Sequence, residues 1–146
     1  ATLCGLADFV FMSASARLRC PFSELGLVAE AASTRTFPYL MGRQRANWFL
    51  MSSEWLSADE CLEAGLALKV FPSETFMADV QRESAKIARL PKASLTEAKL
   101  LIQGPTRDIL KDAVERENEA LGRLRGAPAN AEAITAFREK RPPNFD

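Results

Sequence analysis

The chain has 146 residues, 47% of them hydrophobic, which is enough for one domain with a core or for part of a larger one. Lys plus Arg equals Asp plus Glu at 19 each, so no global field would gather nucleic acid or an anionic membrane, and we expect neither as a partner. No apolar run approaches the ~20 residues of a membrane span. Three widely spaced cysteines without a CxxC motif predict reduced thiols and a soluble, cytoplasmic protein.

The first 42 residues predict two strands between two helices. ATLCGLAD is typical of a short helix of small residues, and DFVFMS supplies the aromatic and β-branched residues of a buried strand. ARLRC alternates as a half-exposed strand, which Pro21 ends because proline cannot donate to a strand ladder. Residues 21–30 are then a loop leading into a helix near 31–40, closed by Gly42.

Residues 43–72 predict two helices and an extended segment. RQRANWFLMSS places Ala46, Phe49 and Leu50 on one helix face. SADE, residues 57–60, fits a capping box, so a short helix begins there and ends near Gly65. LALKVFP predicts a strand or an extended connector.

From residue 73 onward the apolar positions recur with a helical period, and Asn130 is the predicted N-cap of the last helix. We therefore divide the chain into an α/β region, 1–72, and an α-helical region, 73–146. Two-stranded sheets are marginal in isolation, so the α/β region has too few strands for a stable sheet. Together with a first residue that is alanine, this predicts further strands before Ala1.

One acid stands alone in SELGLVAEAASTRTFP, residues 23–38, where Glu30 lies among small apolar residues. Such a carboxylate has a hidden partner, lies at an exposed helix end or takes part in proton chemistry, because burying its charge unpaired is costly. The chain has no histidine, which removes Ser-His and Cys-His pairs and histidine-containing zinc sites, and we expect no metal site. Exposure of Glu30, or an ion pair with Arg35, would weaken a catalytic interpretation.

Two separated motifs resemble one protein family. SADECLEAGLALKVFP (57–72) resembles the pattern S/T-A-x-E-A-x-x-x-G-L-V-x-x-V-x-P of crotonase-type enoyl-CoA hydratases and isomerases, and AFREKRPPNF (136–145) resembles their ending F-x-E-K-R-x-P-x-F. The resemblance spans essentially the whole chain but only the C-terminal half to two-thirds of a family member. It implies an α/β fold class: the C-terminal part of the ClpP/crotonase-like ββα spiral over 1–72, followed by an α-helical trimerisation region over 73–146.

The catalytic acids of the family's hydratases have no counterpart in this chain. One aligns with Thr2 and the other, from a P-E pair, with Phe22. PFSELGLVAEAAS resembles instead the pattern P-F-A/S-x-L-G-L-x-x-E-G of peroxisomal-type Δ3,Δ2-enoyl-CoA isomerases, whose glutamate is the proton-transfer base. The resemblance therefore implies that Glu30 is catalytic.

The chemistry agrees with one acid rather than two. Moving a double bond from C3 to C2 needs one carboxylate, which removes a proton from C2 and returns it at C4, whereas hydration is most easily arranged with two groups that share the water. We expect isomerisation of 3-enoyl-CoA to 2-trans-enoyl-CoA in fatty acid metabolism, as part of the complete protein. An enoyl-CoA hydratase-like crotonase with another acyl-CoA reaction, and a non-catalytic crotonase-like binding or assembly protein, are the alternatives.

The resemblance also implies the ligand and the assembly. The substrate is an acyl-CoA thioester, and no separate cofactor is expected because coenzyme A is part of that substrate. The dienolate oxygen needs preorganised N–H donors, which the family takes from segments before Ala1, so the chain alone is expected to be inactive. Subunits would assemble as a homotrimer or as a hexamer, a dimer of trimers. The residues expected to bind substrate are Phe22, Ala29, Ala31, Phe37 and Leu40.

Overall fold

A computed structural model describes all 146 residues, which form seven α-helices, two 3-10 helices and four short strands. The strands are β1 (Phe11–Ser13), β2 (Arg17–Arg19), β3 (Trp55–Ser57) and β4 (Lys69–Phe71). The α-helices are α1 (Ser33–Met41), α2 (Arg43–Ser52), α3 (Ala58–Glu63), α4 (Phe76–Ala88), α5 (Lys92–Gln103), α6 (Arg107–Leu124) and α7 (Pro128–Glu139). The 3-10 helices are Thr2–Leu6 and Gly104–Thr106. None of the helices combines the length and the apolar character needed to cross a bilayer.

The strands form two separate pairs. β1 lies parallel to β4, with Met12 opposite Val70, and β2 lies antiparallel to β3, with Leu18 opposite Leu56. The three predicted strands are confirmed. β3 was not predicted, because a three-residue segment directly before a capping box carries too little alternation to be recognised. Each sheet has two strands, so packing by the helices has to stabilise both pairs.

The helix boundaries follow local chemistry closely in the first half of the chain. Helix α3 has the predicted capping box, in which the Ser57 Oγ accepts from the Glu60 N–H and the Glu60 carboxylate accepts from the Ser57 N–H at 2.7 Å. The predicted N-cap at Asn130 is wrong. Helix α7 begins at Pro128, whose fixed φ suits the first helical position, and Asn130 is a buried residue inside it.

The apolar core lies mainly within residues 10–70. Phe37 of α1 is fully buried and its ring stacks on Phe49 of α2, with the centroids 5.8 Å apart. The core cluster consists of Met12, Cys20, Phe37, Met41, Ala46, Phe49, Ala58, Cys61, Ala64, Leu66 and Ala67. Helix α5 buries no residue. Helix α7, in contrast, buries Ala133 and Ala136. The division of the chain into two regions at residue 72 stays a prediction.

Candidate active site

Glu30 lies at the end of the segment that joins β2 to α1, two residues before the N-cap of α1. Its side chain is exposed and makes no ion pair or side-chain hydrogen bond, with Arg35 or with any other residue. A hidden partner is therefore excluded. The exposure weakens the catalytic interpretation and agrees with a solvent-facing charge near a helix start. The absence of an ion pair with Arg35 leaves the carboxylate free to accept a proton.

The backbone around Glu30 has an unusual conformation. Ala31 and Ala32 have φ values of 58° and 57°, in the left-handed region that costs an alanine roughly 1–2 kcal/mol per residue. The Glu30 carbonyl accepts hydrogen bonds from the Ser33 N–H at 3.1 Å and from the Ser33 Oγ–H at 2.6 Å. Ser33 is completely buried. The helix predicted near 31–40 is confirmed as α1, and it begins at Ser33 because these two alanines leave the helical region.

A buried carboxylate from α6 holds the start of α1. Glu117 Oε2 accepts from the Ala32 N–H at 2.7 Å, and Oε1 accepts from the N–H and the Oγ1–H of Thr34 at 3.0 and 2.6 Å. The Glu117 residue is 4% exposed. Its charge is stabilised by the positive end of the α1 dipole. This contact was not predicted from the sequence, although Glu117 is an acid on the apolar stripe of α6, four residues after Ala113.

A second anchor holds the other end of the same loop. The Asn130 amide on α7 donates to the Leu25 carbonyl at 2.8 Å, and its oxygen accepts from the Gly126 N–H at 2.9 Å. Gly26 has a φ of +63° and ends a helical turn in which the Leu27 N–H bonds the Phe22 carbonyl. Two C-terminal helices therefore fix the loop that carries Glu30.

The predicted substrate-binding residues lie in different environments. Ala29 is buried, and Phe22 and Ala31 are half-buried close to Glu30 in the chain. Phe37 lies in the core against Phe49, and Leu40 is exposed. Ala29 and Ala31 adjoin Glu30 in the chain itself, while the structure places Phe37 in the core. A role for the five residues in binding substrate stays a prediction.

An open cleft of about 370 Å³ lies beside this loop. Ala32 at the start of α1 lines it, together with apolar and charged residues from the first 3-10 helix and from α6. The lining residues are Leu6, Ala32, Arg107, Leu110, Lys111, Val114 and Glu115. The α6 members were not predicted from sequence, because an amphipathic stripe does not reveal which element it faces. Glu30 does not line the cleft, and the lining residue nearest to it in the chain is Ala32.

The cysteines do not offer a competing nucleophile. Burial raises the pKa of Cys20 and of Cys61 to about 11, so their thiols stay protonated near neutral pH. All three cysteines are free, and Cys4 is half-buried. Among the groups of this loop, Glu30 is therefore the one unpaired acid or base: the other carboxylate, Glu24, forms an ion pair with Arg19.

Comparison with known proteins identifies the family. The sequence pattern of the enoyl-CoA hydratase/isomerase family matches residues 1–146. The chain is 35% identical over 141 residues to enoyl-CoA delta isomerase 2 of Rattus norvegicus, covering 97% of this chain and 36% of that protein. It is 37% identical over 109 residues to the protein of the same name from Homo sapiens, covering 75% of this chain and 28% of that one.

A solved structure shows the same fold. The enoyl-CoA hydratase/isomerase from Pseudoalteromonas atlantica T6c superposes with a TM-score of 0.95 at 33% identity, over 99% of this chain and 58% of that chain. The chain therefore spans about a third of the length of the two isomerases it matches and somewhat over half of the solved structure. Since the family pattern covers every residue described here, the chain belongs to the enoyl-CoA hydratase/isomerase family.

Proposed function

We propose that the protein containing this chain converts 3-enoyl-CoA to 2-trans-enoyl-CoA, with Glu30 as the proton carrier. The observation that carries the proposal is the unpaired Glu30 carboxylate on a loop that two other helices hold in place. The names of the rat and human relatives, enoyl-CoA delta isomerase 2, support the choice of reaction.

The reaction requires one group that first accepts and then donates a proton. The Glu30 carboxylate takes a proton from C2, and the electron pair of that C–H bond delocalises into the thioester and the C3–C4 double bond as a dienolate. The same proton then returns to C4, which leaves the double bond between C2 and C3. One positioned carboxylate is sufficient for both transfers.

Bound substrate would change the surroundings of the exposed Glu30 carboxylate. A base that must also act as an acid works best when its pKa lies near the operating pH, and exclusion of water raises the pKa of a carboxyl group. An acyl chain lying against Leu110 and Val114 in the cleft beside Ala32 would exclude water from this loop. We therefore propose that substrate binding itself activates Glu30.

The test is a Glu30→Gln variant of the full-length protein. Glutamine has nearly the same shape but cannot accept the proton, so kcat is expected to fall by about 10²–10⁴-fold. The formation of the conjugated thioester from a 3-enoyl-CoA is followed by ultraviolet absorbance, and the binding of a 2-enoyl-CoA by calorimetry. Binding should be retained.

The matched control is Glu24→Gln, which makes the same chemical change in the same loop. Glu24 is exposed and paired with Arg19, so this variant should keep its kcat. A Glu30→Gln protein that turns over at the wild-type rate would refute the assignment. A 2-enoyl-CoA supplied with water as the co-substrate tests the hydratase alternative in the same assay.

The exposure of Glu30 favours one second candidate, a crotonase-like binding or assembly protein without catalysis. In that case Glu30 is a charge near the start of α1, worth a few tenths to ~1 kcal/mol of stability. Such a protein binds acyl-CoA in calorimetry but produces no conjugated thioester, and its Glu30→Gln variant behaves as the wild type in both measurements.

We also propose that the protein assembles as a homotrimer or as a dimer of trimers, in the cytoplasm and within fatty acid metabolism. Helix α5 supports assembly, because Leu100, Leu101 and Ile102 are 57–76% exposed in consecutive positions. Exposed large apolar side chains concentrated on one helix are typical of a contact surface. Light scattering of the full-length protein after size-exclusion chromatography measures the mass, and a monomer would contradict the proposal.

A further inference from the structure

Helix α1 begins without a cap of its own. Its N-cap residue is Ala32, with φ 57° and ψ 16°, and no local side chain bonds the free N–H groups of the first turn. A serine, threonine or aspartate cap requires extended backbone at the N-cap residue. The left-handed conformation of Ala32 rules out that local solution. The donors at this helix start therefore need an acceptor from elsewhere in the chain.

Glu117 is that acceptor, and each of its two carboxylate oxygens bonds a different residue. Oε2 accepts from the Ala32 N–H, while Oε1 accepts from the N–H and the Oγ1–H of Thr34. No lysine or arginine pairs with this buried carboxylate. A buried charge without a cation is costly unless hydrogen bonds satisfy it, so the three donors and the α1 dipole together account for its presence.

The Glu117 bonds begin at the second of the two strained residues that follow Glu30. Ala31 lies between Glu30 and the first bond, which the Ala32 N–H makes, and both alanines would reach a lower energy by leaving the left-handed region. Such a conformation persists only when contacts with the surrounding structure hold it in place. With the Ala32 N–H released, the chain direction at Glu30 would change.

Resting on the function proposed above for Glu30, we propose that Glu117 is a positioning residue for the isomerisation: by holding Ala32 and Thr34 it fixes the backbone turn that places the Glu30 carboxylate against the substrate. Glu117 itself touches neither the proton nor the thioester. Loss of Glu117 is therefore expected to lower the rate of the chemical step and to leave the affinity for acyl-CoA unchanged.

Replacing Glu117 with glutamine tests this role, because the three groups that bond Glu117 are all donors. If the amide oxygen of Glu117→Gln accepts from Ala32, its NH₂ group faces the Thr34 N–H; if the oxygen accepts from Thr34, the NH₂ group faces the Ala32 N–H. Either orientation sets a donor against a donor, which leaves one backbone N–H unsatisfied. The substitution keeps the side-chain volume, so the packing of α6 is conserved.

The experiment compares Glu117→Gln with Asp79→Asn in the full-length protein. Asp79 is the other buried acid; it accepts from the Thr75 hydroxyl at 2.6 Å, forms an ion pair with Arg82 on the same helix and makes no bond to the Glu30 loop. Steady-state kinetics on a 3-enoyl-CoA give kcat and KM separately, and urea denaturation gives the stability of each variant. Thr34→Val, which removes one donor from an exposed residue, is the second, milder variant.

Misplacement of a reacting group by about 1 Å costs on the order of 10²-fold in rate, so Glu117→Gln should lose about 10²-fold in kcat with KM within about threefold of wild type. Asp79→Asn should keep its kcat, whatever stability it loses with the Arg82 ion pair. Thr34→Val should lower kcat in the same direction but less, and it decides the question alone if Glu117→Gln does not fold. In a Glu30→Gln background, Glu117→Gln should cause no further loss.

An unchanged kcat in folded Glu117→Gln, or an unchanged kcat in Thr34→Val if Glu117→Gln fails to fold, would overturn the inference. The inference would also be overturned if Glu117→Gln lowered kcat by the same factor in the Glu30→Gln background as in the wild type. Either result, found with an inactive Glu30→Gln single variant, leaves the proposed function standing and removes only the role of Glu117. A fully active Glu30→Gln variant removes both.

Discussion

Replacing Gly26 with alanine tests how firmly α7 holds the loop that carries Glu30. Gly26 has a φ of +63°, which costs an alanine roughly 1–2 kcal/mol. A Cβ at this position would lie 2.6 Å from the Asn130 nitrogen and 2.7 Å from the Ala129 carbonyl carbon. Both atoms belong to the backbone of α7, which cannot rotate away as a side chain could.

The steric clash with α7 adds to the cost of the left-handed backbone conformation. Forcing extra volume into a packed contact typically costs about 1–3 kcal/mol, so Gly26→Ala should lower the free energy of unfolding by about 2–5 kcal/mol in all. Gly126 supplies the matched control. Its φ of +76° belongs to a turn closed by the bond from the Ala127 N–H to the Leu124 carbonyl, and a Cβ there meets nothing within 4 Å. Gly126→Ala should cost only the backbone term, about 1–2 kcal/mol.

The assay is urea denaturation of the full-length protein followed by far-ultraviolet circular dichroism, at one protein concentration because an oligomer's stability depends on it. The difference between the two variants isolates the contact between the loop and α7. Equal losses for Gly26→Ala and Gly126→Ala would refute the close approach of Gly26 to Asn130. Steady-state kinetics on the same samples should show a lower kcat for Gly26→Ala.

Two further predictions concern ionisable groups. Hydrogen bonds from Arg141 and from the Asn144 N–H lower the pKa of Glu132 from 4.5 to about 2, so the stability that this carboxylate contributes is complete above its ordinary pKa and is lost as the pH falls from 4.5 toward 2. Glu132→Gln should therefore reduce the loss of stability on acidification to about pH 3, measured by urea denaturation at each pH; an unchanged acid sensitivity would contradict it. Because burial raises the pKa of Cys20 and Cys61 to about 11, a thiol-alkylating reagent at about pH 8 should leave both unmodified in the native protein and modify them in urea, and mass spectrometry of the peptides would show any exception.

Local signals in the sequence predicted much of the first half of the fold. The capping box at Ser57 and Glu60, the helix that ends at Gly42 and the strand around Met12 are confirmed. Each depends on neighbours within a few residues, so one chain segment contains the whole signal. Strand β3 was not predicted, because it forms by pairing with β2 and has little local pattern of its own. The start of α7 was placed too late, because Pro128 begins the helix before the expected cap at Asn130.

The sequence by itself determined the family, through its separated motifs, and it singled out Glu30 as the lone acid of its segment. Only the tertiary structure decided how that segment is held. Glu117 and Asn130 lie 85 and 105 positions along the chain from the loop atoms they bond, Ala32 and Leu25. The periodic pattern of α6 places Glu117 on an apolar stripe but does not show which atoms it bonds, because that depends on how α6 and α7 pack against the rest of the chain. The left-handed conformation of the two alanines after Glu30 was likewise decided by the tertiary structure. Alanine has no intrinsic preference for that conformation and adopts it here under tertiary constraint.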